Sequence, residues 1–318
     1  MHRSQAHATR REKADLPKEL EEKEKIWNQY EHIFGMNEIL LLKTFTLVGG
    51  MLLLTTTGAR LNKDFETKTE GIITLSGIIL FIILVHLHGN EFPMNFFCLG
   101  CVSLFVGWGI GPAITGLGKK FKFRKYLEKK GVQTKRVEVK FRLSWLQERP
   151  LKKTQYYFKD SPEVVYEENS PKVLEFRQKF KEEVLSKDHD PYNMKWQNMV
   201  VLAMSLTVLS VFLTGAIVWF SSIDFGFLGV IASLGIGILA IIRLKKSLTQ
   251  KDDIYSLPLT VIGILHFLLL LIYDFNRLEK AMARGDESWE TAIQISLSLY
   301  LDIINLFLLI LEFLAHEA

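Results

Sequence analysis

The chain has 318 residues, 48% of them hydrophobic and 23% charged, with a formal net charge of +4. Those averages would suit one large or two modest soluble domains, but they conceal a partition. Seven stretches (36–57, 71–88, 92–118, 198–220, 225–242, 255–275 and 291–315) hold 154 residues and only five of the 74 Asp, Glu, Lys and Arg side chains, which excludes a soluble globular protein.

Residues 1–35 are hydrophilic and lack the apolar run of a secretory signal. The opening MHRSQAHATRR is basic and acid-free, similar to a mitochondrial presequence, but the following EKADLPKELEEKEK is too acidic for one. Crossing the hydrocarbon core takes about 20 apolar residues of helix. Uncharged runs of 20 residues between Glu70 and Glu91, 27 between Glu91 and Lys119, 28 between Lys195 and Asp224, and 20 between Asp253 and Asp274 satisfy this. The stretch 225–242 is shorter and glycine-rich, and 36–57 carries Lys43 inside it. Because the apolar runs are continuous rather than alternating, they predict helices and not a barrel. The expected organisation is a polar tail (1–35), spans one to three (36–118), a polar insertion (119–197) and spans four to seven (198–318). Cys98 and Cys101 lie inside an apolar span without the second pair that a structural zinc site needs, so they are expected to be small packing residues.

The insertion begins with KKFKFRKYLEKK (119–130), seven positive charges that continue the third span's helix. Such a cluster is a candidate site for anionic lipid headgroups or simply a solvated flank. Val137, Val139, Phe141, Leu143 and Trp145 then alternate with polar residues and predict a half-buried strand. TQYYFKD and EVVYEE predict further short strands. In PKVLEFRQKFKEEVLSK, Val173, Phe176, Phe180 and Val184 form a helical stripe behind Pro171. The expected result is a small mixed α/β extramembrane element. If its strand face and helix stripe do not bury each other, they and the 1–35 tail are docking surface for protein partners. The Lys and Arg bias at the span ends places the insertion in the cytosol or matrix and the N-terminus on the far side.

Ionisable residues at membrane depth are costly and mark candidate functional sites. Glu38, Lys43 and Glu312 are near span ends, where they can reach the interface. Asp302 is not: Gln294, Ser298, Asp302 and Asn305 form a polar stripe on a leucine-rich helix. Spans six and seven make an antiparallel hairpin around RGDESW, and Asp274 and Asp302 are each 14 residues from Ser288 in its turn. Equal rise on the two arms puts both carboxyls at one depth. If they face each other they share a proton or jointly hold a cation, since two carboxylates in low dielectric do not easily both ionise. Otherwise each pins neighbouring helices by hydrogen bonding. His86 and His88 at the end of span two are candidate pH sensors. The glycines of spans three and five allow close helix approach. No phosphate-binding loop, nucleophile with its base, zinc spacing or nucleic-acid signature is present, so neither an enzyme, a bound cofactor nor a nucleic-acid partner is expected.

SLSLYLDIINLF (296–307) resembles the last-span signature of the transmembrane Bax-inhibitor-motif family, and IYDFNRLEK (272–280) resembles the end of its sixth span. GIGPAITGLG in span three is similar to the family's Gly/Pro stretch. The resemblance implies an all-α membrane protein of seven transmembrane helices with span seven central, wrapped by two layers of three. It also implies the activity of bacterial relatives, pH-sensitive calcium leak channels in which an aspartate pair on spans six and seven shares a proton and binds the ion. The matching positions are Asp274 and Asp302, with Ser298 and Asn305 as supporting polar residues. The family has a short connection in place of 119–197 and an arginine in the segment that reads His86-Leu87-His88-Gly89-Asn90-Glu91 here. Its N-terminus is usually cytosolic. The expected function is a pH-sensitive calcium or cation leak channel or exchanger gated by the aspartate pair. The alternative is a non-transporting accessory subunit of a large respiratory-type membrane complex. The expected location is the mitochondrial inner membrane first and the endoplasmic reticulum second.

Overall fold

The computed structural model describes residues 38–143, 146–167, 169–186, 190–231, 234–235 and 256–317. The predicted tail and half of the fifth predicted span lie outside them. In chain order the elements are α1 (Glu38–Leu61), α2 (Lys68–Leu87), α3 (Met94–Lys129), β1 (Val132–Leu143), β2 (Leu146–Phe158), β3 (Ser161–Glu167), α4 (Pro171–Phe180), α5 (Asn193–Phe220), α6 (Ser256–Ala283) and α7 (Trp289–Glu317). Among the described residues, six of these helices (α1, α2, α3, α5, α6 and α7) are long and apolar enough to cross a membrane.

Local chemistry sets several of the boundaries. The Thr67 hydroxyl accepts from the Glu70 amide at 3.2 Å and starts α2, with Glu70 itself favourable at the positive end of the helix dipole. Ser170 does the same for Val173, ahead of Pro171 in the first turn of α4. Gly131, at φ +73°, ends α3 in the left-handed conformation and turns the chain into β1.

The last helix is the centre of the bundle: α7 contacts α1, α3, α5 and α6, and Tyr300, Leu306 and Leu311 on it are fully buried. The Tyr300 hydroxyl shares a 2.5 Å hydrogen bond with Thr55 of α1, whose hydroxyl also reaches the Ser103 carbonyl of α3 at 3.1 Å. Helices α1 and α3 approach closely, and a Cβ placed on Gly111 would collide with the carbonyls of Ala59 and Asn62. This matches the close approach expected of the span-three glycines. Cys98 is buried in the same layer and both cysteines are free thiols.

Two contacts fix the sides of the bundle. Lys43 donates to the Glu287 carbonyl at 2.6 Å and lies 4.7 Å over the Trp289 ring, so α1 starts on the face that carries the α6–α7 turn. Arg124 donates to the carbonyls of Ala315 and His316 at 2.6 and 2.8 Å, so α7 ends on the face that carries the insertion. Helix α5 ends beside α6 at the turn face, where Lys280 meets Asp224 at 2.6 Å. The start of α1 and the end of α7 therefore lie on opposite faces.

The insertion is an antiparallel sheet in the order β1-β2-β3, with Val132 opposite Phe158 and Tyr156 opposite Tyr166. Its predicted helix stripe is spent inside the molecule: Phe180 and Val184 pack on Tyr126 and Tyr192, and Val173 packs on Leu127, Val132 and Tyr156. The docking expected of that stripe is therefore taken up by the chain's own α3 and sheet. Trp145, at the end of the predicted strand, lies outside the described residues. The basic run 119–130 does continue α3, and most of its charges have protein partners. Lys119 meets Asp64 at 2.7 Å, Lys122 meets Asp190 at 2.6 Å, Lys125 meets Glu128 at 2.8 Å and Lys130 meets Glu183 at 3.4 Å.

Candidate functional site

The site is built by the α6–α7 hairpin. Asp274, nine residues before the end of α6, is 1% exposed, and Asp302, thirteen residues into α7, is 6% exposed. Both stand among closed apolar residues, with Leu271 and Phe275 on α6 and Leu299 and Leu306 on α7 all nearly or fully buried. The rotation that spacing left open brings the two carboxyls within electrostatic reach of each other, with the Ser298 hydroxyl beside Asp274. One oxygen of each, Oδ2 in both cases, is buried without a hydrogen-bond partner among the described residues. Burying an acceptor without a partner costs about 1–3 kcal/mol, so the two oxygens mark a place where a proton or cation would be bound.

Arg277, one turn beyond Asp274, donates to its Oδ1 at 3.5 Å and keeps 37% of its side chain exposed. It bridges the buried pair and the turn face, and its guanidinium is 5.8 Å from the Tyr273 ring. Arg277 was legible only as part of IYDFNRLEK; the i, i+3 spacing from Asp274 is the signal that would have found it.

The other predicted residues are placed differently. Asn305 donates to the Leu301 carbonyl of its own helix at 2.8 Å. His86 bonds the Ile82 carbonyl at 2.9 Å and His88 meets Glu91 at 2.6 Å, so both engage their own helix end and connector. Among the described residues no group of three or more His, Cys, Asp and Glu gathers at one point. A cation held by the aspartate pair would take its remaining ligands from Ser298, backbone carbonyls and water, consistent with the oxygen preference of calcium.

A second polar constellation escaped the sequence. Asp224 accepts from Lys280, from Asn276 at 3.2 Å and from the Gly226 amide at 2.8 Å, while Asn276 accepts from the Phe225 amide at 3.3 Å. Lys280, then the Gly226 amide, then Asn276 hold the Asp224 carboxyl down at about 2. This clamp ties the segment after α5 to α6, within the two turns that follow Asp274.

With that hairpin in place, the family model described as inhibitor of apoptosis-promoting Bax1 matches residues 192–318. That match covers 127 of the chain's 318 residues. The match spans α5, α6 and α7 and contains Asp224, Asp274, Arg277, Ser298 and Asp302, so the whole polar site falls within it. The six apolar helices fit a multi-pass transmembrane protein of this type. No curated protein matches the chain.

Proposed function

We propose that the protein is a pH-sensitive cation leak pathway, with calcium as the carried ion and the Asp274–Asp302 pair as its gate. The observation that supports this is the pair itself: two buried carboxyls on the arms of one hairpin, facing each other, each with an unpartnered oxygen. Facing carboxylates in low dielectric are stable when they share a proton or hold a cation between them. Protonation and cation binding therefore compete for the same oxygens. Arg277 offsets one negative charge from the exposed side, and Ser298 offers a neutral oxygen beside Asp274.

Purified protein in liposomes is expected to leak calcium faster at raised pH, because deprotonation supplies the negative charge that the ion needs. Asp302→Asn keeps the shape of the side chain and removes its titration, so it should leave calcium flux insensitive to pH. Flux that is absent, or that keeps its pH dependence in Asp302→Asn, overturns this reading.

A further inference from the structure

The polar stripe on α7 does not stop at Asp302. Gln294, Ser298, Asn305 and Glu312 are all half-buried, so the stripe runs along a partly open seam of the bundle. At the insertion end this seam opens into a cleft of about 270 Å³, lined by Asn305, Leu308, Leu309 and Glu312 of α7 and by Ala113 and Leu117 of α3. At about 100° per residue, Asp302, Asn305, Leu309 and Glu312 lie within roughly 80° of one another, and Glu312 is roughly 15 Å nearer the insertion face than Asp302.

We infer that this cleft is an outer site for a divalent cation, in which the Glu312 carboxylate binds the ion and Asn305 passes it towards Asp302. The inference rests on the conduction reading and names the route by which the ion reaches the pair. Asn305 gives its amide N–H to Leu301, which leaves its carbonyl oxygen as a cation ligand. The cleft has room for several waters at about 30 Å³ each, so the ion enters with part of its hydration shell, as calcium with its six to eight oxygen ligands requires. A single carboxylate between the apolar walls of Leu117 and Leu309 concentrates cations by field focusing. Arg124, a turn further along, is engaged with the carbonyls of Ala315 and His316.

The test uses the full chain in liposomes with Leu117→Cys introduced into a Cys98→Ala/Cys101→Ala background. A charged methanethiosulfonate added on the insertion side should modify Cys at this position, and millimolar calcium should slow the reaction several-fold. Glu312→Gln should abolish that protection, and Glu312→Asp should retain most of it. The inference is overturned if the thiol does not react, if calcium leaves the rate unchanged, or if protection survives Glu312→Gln. Protection that depends on Glu312, in vesicles that pass no calcium, would keep the outer site and overturn the conduction reading instead.

Discussion

Pro112 lies inside α3, where its missing N–H leaves the Trp108 carbonyl without a helical donor. Asn62, the first residue past α1, supplies one, donating to that carbonyl at 3.1 Å from a site only 6% exposed. Asn62→Ala should therefore cost about 1–3 kcal/mol, the penalty for an orphaned buried acceptor. In a Pro112→Ala background the helix regains its own donor, so the same change should cost less. Melting of the four proteins in detergent gives the coupling, and additivity would show that the two residues act independently. At Asp224, the carboxyl held at about 2 by Lys280 makes a second, pH-linked prediction. A lowered aspartate contributes stability fully above its unfolded value, near 4, and loses it as pH falls towards the folded value. The melting difference between wild type and Asp224→Asn should thus be constant above about pH 5 and shrink below about pH 4. A difference that grows on acidification would contradict the clamp.

At the scale of elements, the seam between α1 and α3 depends on absent side chains. A Cβ at Gly111 would meet the backbone of Ala59 and Asn62, which cannot swing aside as a flexible side chain would. Gly111→Ala should destabilise the bundle by about 1–3 kcal/mol through overpacking, whereas Gly116→Ala, with open space around it, should be tolerated. Comparison of the two melting temperatures decides this. The sequence was most informative about elements whose partner is the adjacent strand of chain. Equal counts from Ser288 placed Asp274 and Asp302 at one depth, and period-two and period-3.6 patterns located the insertion's strands and α4. It was silent where the partner is distant or where rotation decides. Nothing in 119–130 distinguishes a lipid-facing lysine from Arg124, which caps the end of a helix almost two hundred residues away. Likewise, the span-seven stripe could not show that Ser298 stands beside Asp274 while Asn305 bonds its own helix.

For the whole molecule, the apolar surface is distributed unevenly. Only 11% of the apolar window of α2 is buried against 44% of that of α7, so α2 faces lipid and α7 faces protein. Ile79, mid-way along α2, is 51% exposed. A lysine there should hinder insertion by about 2.5–3.5 kcal/mol on translocon scales, while Ile79→Leu should insert normally. A glycosylation-based insertion assay separates the two, and equal insertion of both variants would show that this face of α2 is not exposed to lipid. The insertion, in contrast, forms its own small core around Tyr126, Val132, Tyr156 and Phe180.

One helix belongs to both worlds. At 36 residues α3 is about 54 Å long, and the hydrocarbon core accounts for roughly 30 Å of that. The remainder is a stalk, seated in the aromatic cluster of the insertion and held beside that seat by Arg124 against the end of α7. Only Lys130 and Gly131 separate this rod from β1. A push on the sheet arrives in the membrane as tilt or torsion of a single rod, and its first point of leverage is the helix that carries Asp302.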